Sequence, residues 1–245
     1  MSMENIYRRL KEEIGVAKGV VGLKRLQEGP GDIEDYEGKN TLCFMMQEAL
    51  DENKVFYTTL KNRMCLGCTS TGMAPTPYDE LSEEKLKHNL KFAVEAINTY
   101  QDVETAYKAE KKASELFAKF DTLCNAVLIG PAEMIDQPDI VVITCDPSQA
   151  NILTRAYCYV TGTFIKGYAG IGVCRTIFPD AIVTGEPTFT ISDRSWRIAL
   201  KMKPEDLSLV TPPEKLKIML DNVKPSTAGG PSDEAFETMI SANLR

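Results

Sequence analysis

The chain has 245 residues and carries 28 basic against 35 acidic side chains, which gives a net charge of -7 at pH 7. This length can bury a sizeable core, and the 43% of hydrophobic residues is typical of a globular domain. The acidic balance argues against a nucleic-acid partner, and the apolar runs are too short to span a bilayer. The first ten residues lack the apolar stretch of a secretory signal. We therefore expect a cytoplasmic protein.

In residues 1–120 the sequence predicts mainly helices. Apolar residues recur at helical spacing, and the predicted helices cover 3–14, 40–52, 82–97 and 102–120. Asn40 or Thr41 is expected to cap the second helix and Ser82 the third. Two runs of β-branched and aromatic residues predict strands at Val20–Leu26 and at 55–60. A loop containing Cys65 and Cys68 follows the second strand.

Residues 121–245 are expected to be richer in strands. Continuous apolar runs at 126–130 and 139–145 predict two adjacent central strands that are buried on both faces, with Leu128, Ile140 and Val142 in the core. Further strands are predicted at 163–166, 181–184, 188–192 and 196–201. Helices are predicted at 147–161, 213–223 and 233–243, the first beginning after Asp146 and ending at Gly162. The expected fold is one α/β (α+β) domain, residues 1–245, in which helices pack on a mixed β-sheet.

Seven cysteines are the main chemical signal of the sequence. In a reducing cytoplasm they indicate metal ligands, reactive thiols or small buried residues, not disulfides. Cys65 and Cys68 form a C-x-x-C motif, which can supply two ligands at once to a metal ion or an iron–sulfur cluster. Cys43 and Cys174 are expected beside helix ends or loops and are the proposed remaining ligands. The other three cysteines, which lie in apolar segments, are interpreted as buried: Cys124, Cys145 and Cys158.

A thioredoxin-like dithiol and a metal site that includes a histidine ligand are both less favoured. A thioredoxin-like dithiol opens a helix after a strand, whereas residues 69–77 are predicted to be a loop. The single histidine, His88, lies in a charged helix and is interpreted as a surface residue. A zinc site would therefore also have to be built from the cysteines.

A second candidate site combines a predicted helix start with an arginine-rich turn. Asp146 and Ser148 begin the helix that follows a buried strand, where open α/β sheets bind ligands. Arg194 and Arg197 flank the only tryptophan and could hold a carboxylate or phosphate. Simple helix capping by Asp146 and surface exposure of the arginines remain the plainer interpretations.

Several ordered motifs resemble the archaeal and bacterial family known as domain of unknown function 169. The similarity covers most of the chain, and the matching positions are Val20–Leu26, Cys43, Cys65, Gly67, Gly72, Pro138 to Val142, Pro147 to Ala150, Cys174, Gly185 to Pro187, Ser192, Arg194 and Arg197. Gly19 and Cys68 depart from the family pattern, which has proline and glycine there. The resemblance implies a shared fold and shared thiols at Cys43, Cys65 and Cys174, and it implies no reaction.

Together these patterns predict a protein that binds a [4Fe-4S] cluster or another metal, with zinc as the alternative, through Cys43, Cys65, Cys68 and Cys174. Electron transfer or cofactor handling in anaerobic metabolism is the expected role, with a redox protein as partner. A small-molecule enzyme or sensor using Asp146, Ser148, Arg194 and Arg197 is the alternative, and an adaptor without chemistry is a third. The sequence does not decide whether the protein is an enzyme.

Overall fold

The computed structural model describes residues 2–16, 19–75, 81–96, 98–116, 119–226, 238 and 240–242, without the side chains of 115 and 116. The described helices are α1 (Met3–Arg9, continued by a π-helical turn at Leu10–Ile14), α2 (Leu42–Asp51), α3 (Glu83–Glu95), α4 (Val103–Leu116), α5 (Pro147–Thr161), α6 (Cys174–Thr184), α7 (Arg194–Ala199) and α8 (Pro213–Asn222). The described strands are β1 (Val20–Leu26), β2 (Glu34–Asp35), β3 (Phe56–Thr58), β4 (Ala126–Pro131), β5 (Ile140–Cys145), β6 (Lys166–Tyr168), β7 (Thr188–Thr190) and β8 (Leu207–Thr211).

The eight strands form one mixed sheet in the order β2-β3-β4-β1-β5-β8-β7-β6. Neighbouring strands are antiparallel except for β2 with β3 and β6 with β7, which are parallel. The chain is thus a single compact α/β domain with a mixed sheet, as the sequence predicts.

Helices cover both faces of this sheet. On one face α2, α6 and α7 pack over side chains such as Leu23, Ile140 and Val142. On the other face α1, α5 and α8 pack over side chains such as Val141 and Ile143. Strands buried on both faces explain the continuous apolar runs at β4 and β5, in which every residue is buried.

Several elements lie where local signals predict them. The bounds of β1 match the prediction, and α5 runs from Pro147 to Thr161, with Gly162 in the left-handed conformation at φ 68°. Thr41 caps α2 by accepting a hydrogen bond from the N–H of Phe44. Of the predicted last helix, 233–243, only 238 and 240–242 are among the described residues, and these are helical.

The predicted strand at 181–184 is wrong, because these residues form the last turn of α6. The run Ala-Ile-Val-Thr is typical of a strand. In the structure it belongs to a helix, because Ile177, Phe178 and Ala181 are buried together in the core on one face of α6. The predicted strand at 196–201 is wrong for a similar reason. Asp193 caps α7 by accepting from the N–H of Trp196, whose ring is fully buried.

Two details of the sheet also need correction. The strands predicted to be adjacent, β4 and β5, are both central but lie on either side of β1, which pairs antiparallel with each. They therefore run parallel to each other. The strand predicted at 163–166 begins only at Lys166, and β8, which no predicted element covers, pairs with β5 and β7.

Candidate functional site: a cluster of four cysteines

The segments that carry Cys43 and Cys65 are tied side by side just before these residues. The N–H of Asn40 donates to the carbonyl of Asn62 at 2.9 Å, and the N–H of Met64 donates to the carbonyl of Asn40 at 2.9 Å. Cys43 follows as the second residue of α2, and Cys65 begins the C-x-x-C turn. This short bridge therefore brings the first turn of α2 against the motif.

Gly67, inside the C-x-x-C motif, lets the turn approach α2 closely and lies beside the start of α6. A methyl group on its α-carbon would lie 3.1 Å from Cβ of Leu42, 3.2 Å from Sγ of Cys65 and 3.7 Å from Sγ of Cys174. The sulfurs of Cys65 and Cys174 are therefore no further apart than the sum of the last two distances. The N–H of Gly67 also donates to Sγ of Cys65 at 3.3 Å.

A 3₁₀ turn at Thr69–Thr71 closes the motif and packs against α6. The hydroxyl of Thr71 donates to the carbonyl of Cys68 at 2.7 Å, and the hydroxyl of Ser70 donates to the carbonyl of Leu66 at 2.8 Å. These bonds fix the backbone on both sides of Cys68, whose side chain is fully buried. Cys65, by contrast, is partly exposed.

Cys174 is the first residue of α6, and Asp193 supports its position. One carboxylate oxygen of Asp193 accepts from the N–H of Val173 at 3.2 Å, and the other accepts from the N–H of Trp196 at 2.9 Å. The same side chain therefore links the start of α6 to the start of α7. Sequence analysis did not assign Asp193 a role, although it lies between Ser192 and Arg194, two of the positions that match the family pattern.

The next residue along α6, Arg175, forms a buried ion pair with Glu110 of α4. Nη2 of Arg175 donates to Oε1 of Glu110 at 2.8 Å and to the carbonyl of Ile171 at 3.1 Å. Tyr100 donates its hydroxyl hydrogen to the same carboxylate oxygen at 2.7 Å. The α3–α4 helix pair is thereby anchored next to Cys174.

Neighbouring cysteines contribute to the raised pKa of three thiols, those of Cys43, Cys68 and Cys174. Burial, followed by the charges of Cys65, Asp193 and Cys68, raises the pKa of the Cys43 thiol well above its usual value. The pKa of Cys174 is raised well above its usual value by burial, and then by the other three thiols and Asp193. Burial, followed by the charge of Cys65, raises the pKa of Cys68 to about 12. All three thiols thus stay protonated at neutral pH unless a cation replaces their protons.

The structure therefore brings together the four cysteines that the sequence suggests as ligands: Cys43, Cys65, Cys68 and Cys174. All seven cysteines are free thiols. In the described part of the chain no three His, Cys, Asp or Glu side chains surround a common point closely enough to hold a metal ion. The four sulfurs are thus neighbours that have not converged on the short distances a single zinc ion requires, about 2.3 Å from each sulfur to the metal.

The remaining cysteines lie elsewhere. Cys124 and Cys145 are buried, as the sequence predicts, whereas Cys158 on α5 is only half-buried. His88 is exposed on α3.

In the second candidate site, Asp146 and Arg197 are engaged in structural contacts. Asp146 caps α5 by accepting from the N–H of Gln149 at 2.8 Å, while its own N–H donates to Oε1 of Gln149. Ser148 is exposed in the first turn of α5, and Arg194 is exposed in the first turn of α7.

Arg197 is the best-placed cation of that site, but its terminal nitrogens already bind backbone carbonyls. Nη1 donates to Ile191 and Asp206 at 2.8 Å each, and Nη2 donates to Lys203 and Pro204. These four bonds use all the protons of the two terminal nitrogens. Recognition of a carboxylate or phosphate by Arg197 would have to break them.

Comparison with known proteins assigns the family. Residues 9–222 match the DUF169 family, described as "Uncharacterised ArCR", and the chain belongs to it. The chain is also 26% identical over 205 residues to the uncharacterized protein MJ0308 of Methanocaldococcus jannaschii, which covers 82% of this chain and 83% of that protein. No solved structure matches the chain. None of the helices in the described residues has the length and apolar character needed to cross a membrane.

Proposed function

We propose that the protein binds an iron–sulfur cluster through Cys43, Cys65, Cys68 and Cys174. The observation that carries this proposal is the proximity of four thiols from three separate segments: the start of α2, the C-x-x-C turn and the start of α6. Four sulfur donors are the ligand set of [2Fe-2S] and [4Fe-4S] clusters. A cluster several ångströms wide also suits sulfurs that do not meet at one point.

Two features of the site support a cluster more than a structural zinc ion. The N–H of Gly67 donates to Sγ of Cys65, and hydrogen bonds to sulfur are one of the ways in which proteins tune a cluster's potential. Cys65 and Cys174 are partly exposed, which leaves one side of the site open to a partner. Zinc bound by the same four thiolates is the alternative metal.

A cluster at this place would act in electron transfer or in the handling of a cofactor for a redox enzyme, in the cytoplasm of an anaerobe. The net charge of -7 favours docking to a basic redox partner. Exposed cluster edges pass electrons to partners without binding a substrate, which fits a site built of thiols alone.

The test is metal analysis of the protein purified without oxygen. We expect bound iron, acid-labile sulfide and broad visible absorption in the unaltered chain, all of them lost in Cys65→Ser and Cys174→Ser. Cys158→Ser, which removes a half-buried thiol from α5, serves as the matched control and should keep the iron. Zinc without sulfide would favour the alternative metal, and a colourless chain without metal after reconstitution with iron and sulfide would refute the proposal.

A further inference from the structure

Two of the four clustered thiols, Cys65 and Cys174, are partly exposed, whereas Cys43 and Cys68 are buried. The sulfurs of Cys65 and Cys174 lie 3.2 Å and 3.7 Å from one point, the position that a methyl group on Gly67 would occupy. They are therefore no further apart than the sum of these two distances. A small oxidant from solution can reach Cys65, and the sulfur of Cys174 is close behind it.

Both of these sulfurs make weak contacts. Sγ of Cys65 accepts from the N–H of Gly67 at 3.3 Å, and Sγ of Cys174 donates to the carbonyl of Gly172 at 3.9 Å. Cys65 lies in a turn, and Cys174 is the first residue of α6, where χ1 is less restricted than inside a helix. A change of one rotamer moves a cysteine sulfur by about 3 Å. Rotation of both side chains is therefore enough to bring the sulfurs to the bonding distance of a disulfide, about 2.05 Å.

The other two thiols are poorer partners for Cys65. Cys43 and Cys68 both belong to the buried core, whereas Cys174 packs at its edge. The backbone on both sides of Cys68 is fixed by hydrogen bonds, and Cys43 lies in the first turn of α2. A disulfide with either of them would have to draw a buried side chain out of the core. Cys174 needs no such movement.

We propose that the site is a redox switch, in which hydrogen peroxide converts the metal-free thiols of Cys65 and Cys174 into a disulfide. The sulfur of Cys65 attacks one peroxide oxygen, the O–O bond breaks, and water leaves a sulfenic acid on Cys65. The sulfur of Cys174 then attacks the sulfur of Cys65, the S–O bond breaks, and a second water leaves. Two electrons and two protons pass from the thiols to the peroxide.

The disulfide removes two of the four sulfur ligands of the site. The oxidised chain therefore has no four-thiolate site for an iron–sulfur cluster or for zinc until a reductant restores the thiols. This consequence rests on the proposed function, whereas formation of the disulfide depends on the two thiols alone.

Oxidation of the metal-free full chain with an equimolar amount of hydrogen peroxide tests the disulfide. The bond encloses residues 66–173, so the oxidised chain should run faster than the reduced chain on a denaturing gel without reductant. Trypsin should yield residues 64–85 cross-linked to 167–175, and fragment masses should assign the bond to Cys65 and not to Cys68. Dithiothreitol should reverse both changes. An oxidised chain that runs like the reduced one, or a cross-link between other cysteines, would overturn the proposal.

Single variants identify the two sulfurs independently. Cys65→Ser and Cys174→Ser should both lose the fast band, because each lacks one of the bonded sulfurs. Cys68→Ser should keep it, which separates the proposed bond from one within the C-x-x-C motif. Cys158→Ser, on α5, is the matched control and should also keep it. A fast band that persists in Cys65→Ser would refute the assignment. If a variant fails to fold, the peptide map of the unaltered chain decides.

Metal binding separates the switch from the proposed function. Zinc is the probe, because cluster assembly needs sulfide, which itself reduces disulfides. The reduced chain should bind zinc, and the oxidised chain should bind none at this site until dithiothreitol is added. Equal zinc affinity of the two chains would overturn the switch and leave the metal site in place. A chain that forms the disulfide but binds neither zinc nor iron when reduced would refute the proposed function and leave the disulfide without a role in metal binding.

Discussion

Cys65 and Cys174, which are far apart in the chain, place their sulfurs against the same residue, Gly67. The C-x-x-C turn can pack closely on the start of α2 because this position has no side chain, and it lies in ordinary contact with the start of α6. The glycine thus links the local motif to the distant thiol, and its replacement tests how tightly the site is built.

Gly67→Ala should destabilise the metal-free chain by about 1–3 kcal/mol, because the new methyl group would lie 3.1 Å from Cβ of Leu42 and must displace backbone. Urea unfolding followed by the fluorescence of Trp196, the only tryptophan, measures the change. Gly31→Ala is the control, since a methyl group there meets no atom within 4 Å. Equal stability of the two variants would show that the turn is looser than described.

The ion pair between Glu110 and Arg175 is expected to contribute much more to the free energy of unfolding than the exposed pairs do. The two side chains are only 5% and 8% exposed, so Glu110→Gln removes a carboxylate charge that lies against a buried arginine. Breaking such a pair costs about 3–5 kcal/mol. The exposed pair of Arg8 with Glu12 offers the comparison, and Glu12→Gln should cost less than about 1 kcal/mol. Similar losses in both variants, measured by thermal or urea unfolding, would contradict the description of this contact.

Central placement of β5 predicts a large effect of shortening Ile140, which is fully buried. Ile140→Ala should reduce the free energy of unfolding by about 2–5 kcal/mol, through lost burial and a residual cavity. Val160→Ala on the exposed side of α5 should change it little. A melt in which Ile140→Ala behaves like Val160→Ala would place β5 outside the core.

The stability of the metal-free chain should fall as the solution becomes alkaline. Burial, and then the charges of Asp146 and Asp206, raise the pKa of Cys145 to about 12, against about 8.5 for an exposed thiol. Below a pH of about 8.5 the Cys145 thiol is protonated in both the folded and the unfolded chain, so the unfolding free energy does not depend on its titration. Above it only the unfolded chain releases the proton, and the unfolding free energy drops by up to about 1.4 kcal/mol per pH unit. Cys145→Ala should flatten this dependence, and an unchanged slope would refute the shift.

Local signals were sufficient for some elements and not for others. The β-branched run of β1 and the Asp146–Gly162 boundaries of α5 could be predicted because their determinants are adjacent in sequence. Residues 181–184 have strand propensity but are helical, because α6 gains more by burying Ile177 and Phe178 against the sheet. Propensity contributes tenths of a kilocalorie per residue, and burial of such side chains contributes several times more.

The candidate site shows the same limit. The C-x-x-C motif is visible in the sequence, but the contact with Cys43 depends on the backbone bridge between Asn40 and Asn62.

X-ray absorption at the iron edge, on the chain reconstituted without oxygen, tests the central claim most directly. A cluster held by Cys43, Cys65, Cys68 and Cys174 predicts a first shell of sulfur alone and a second shell of iron neighbours. Replacement of Cys68 by serine should introduce oxygen into the first shell or abolish the bound iron. A first shell of nitrogen and oxygen in the unaltered chain, or iron without iron neighbours, would contradict the account.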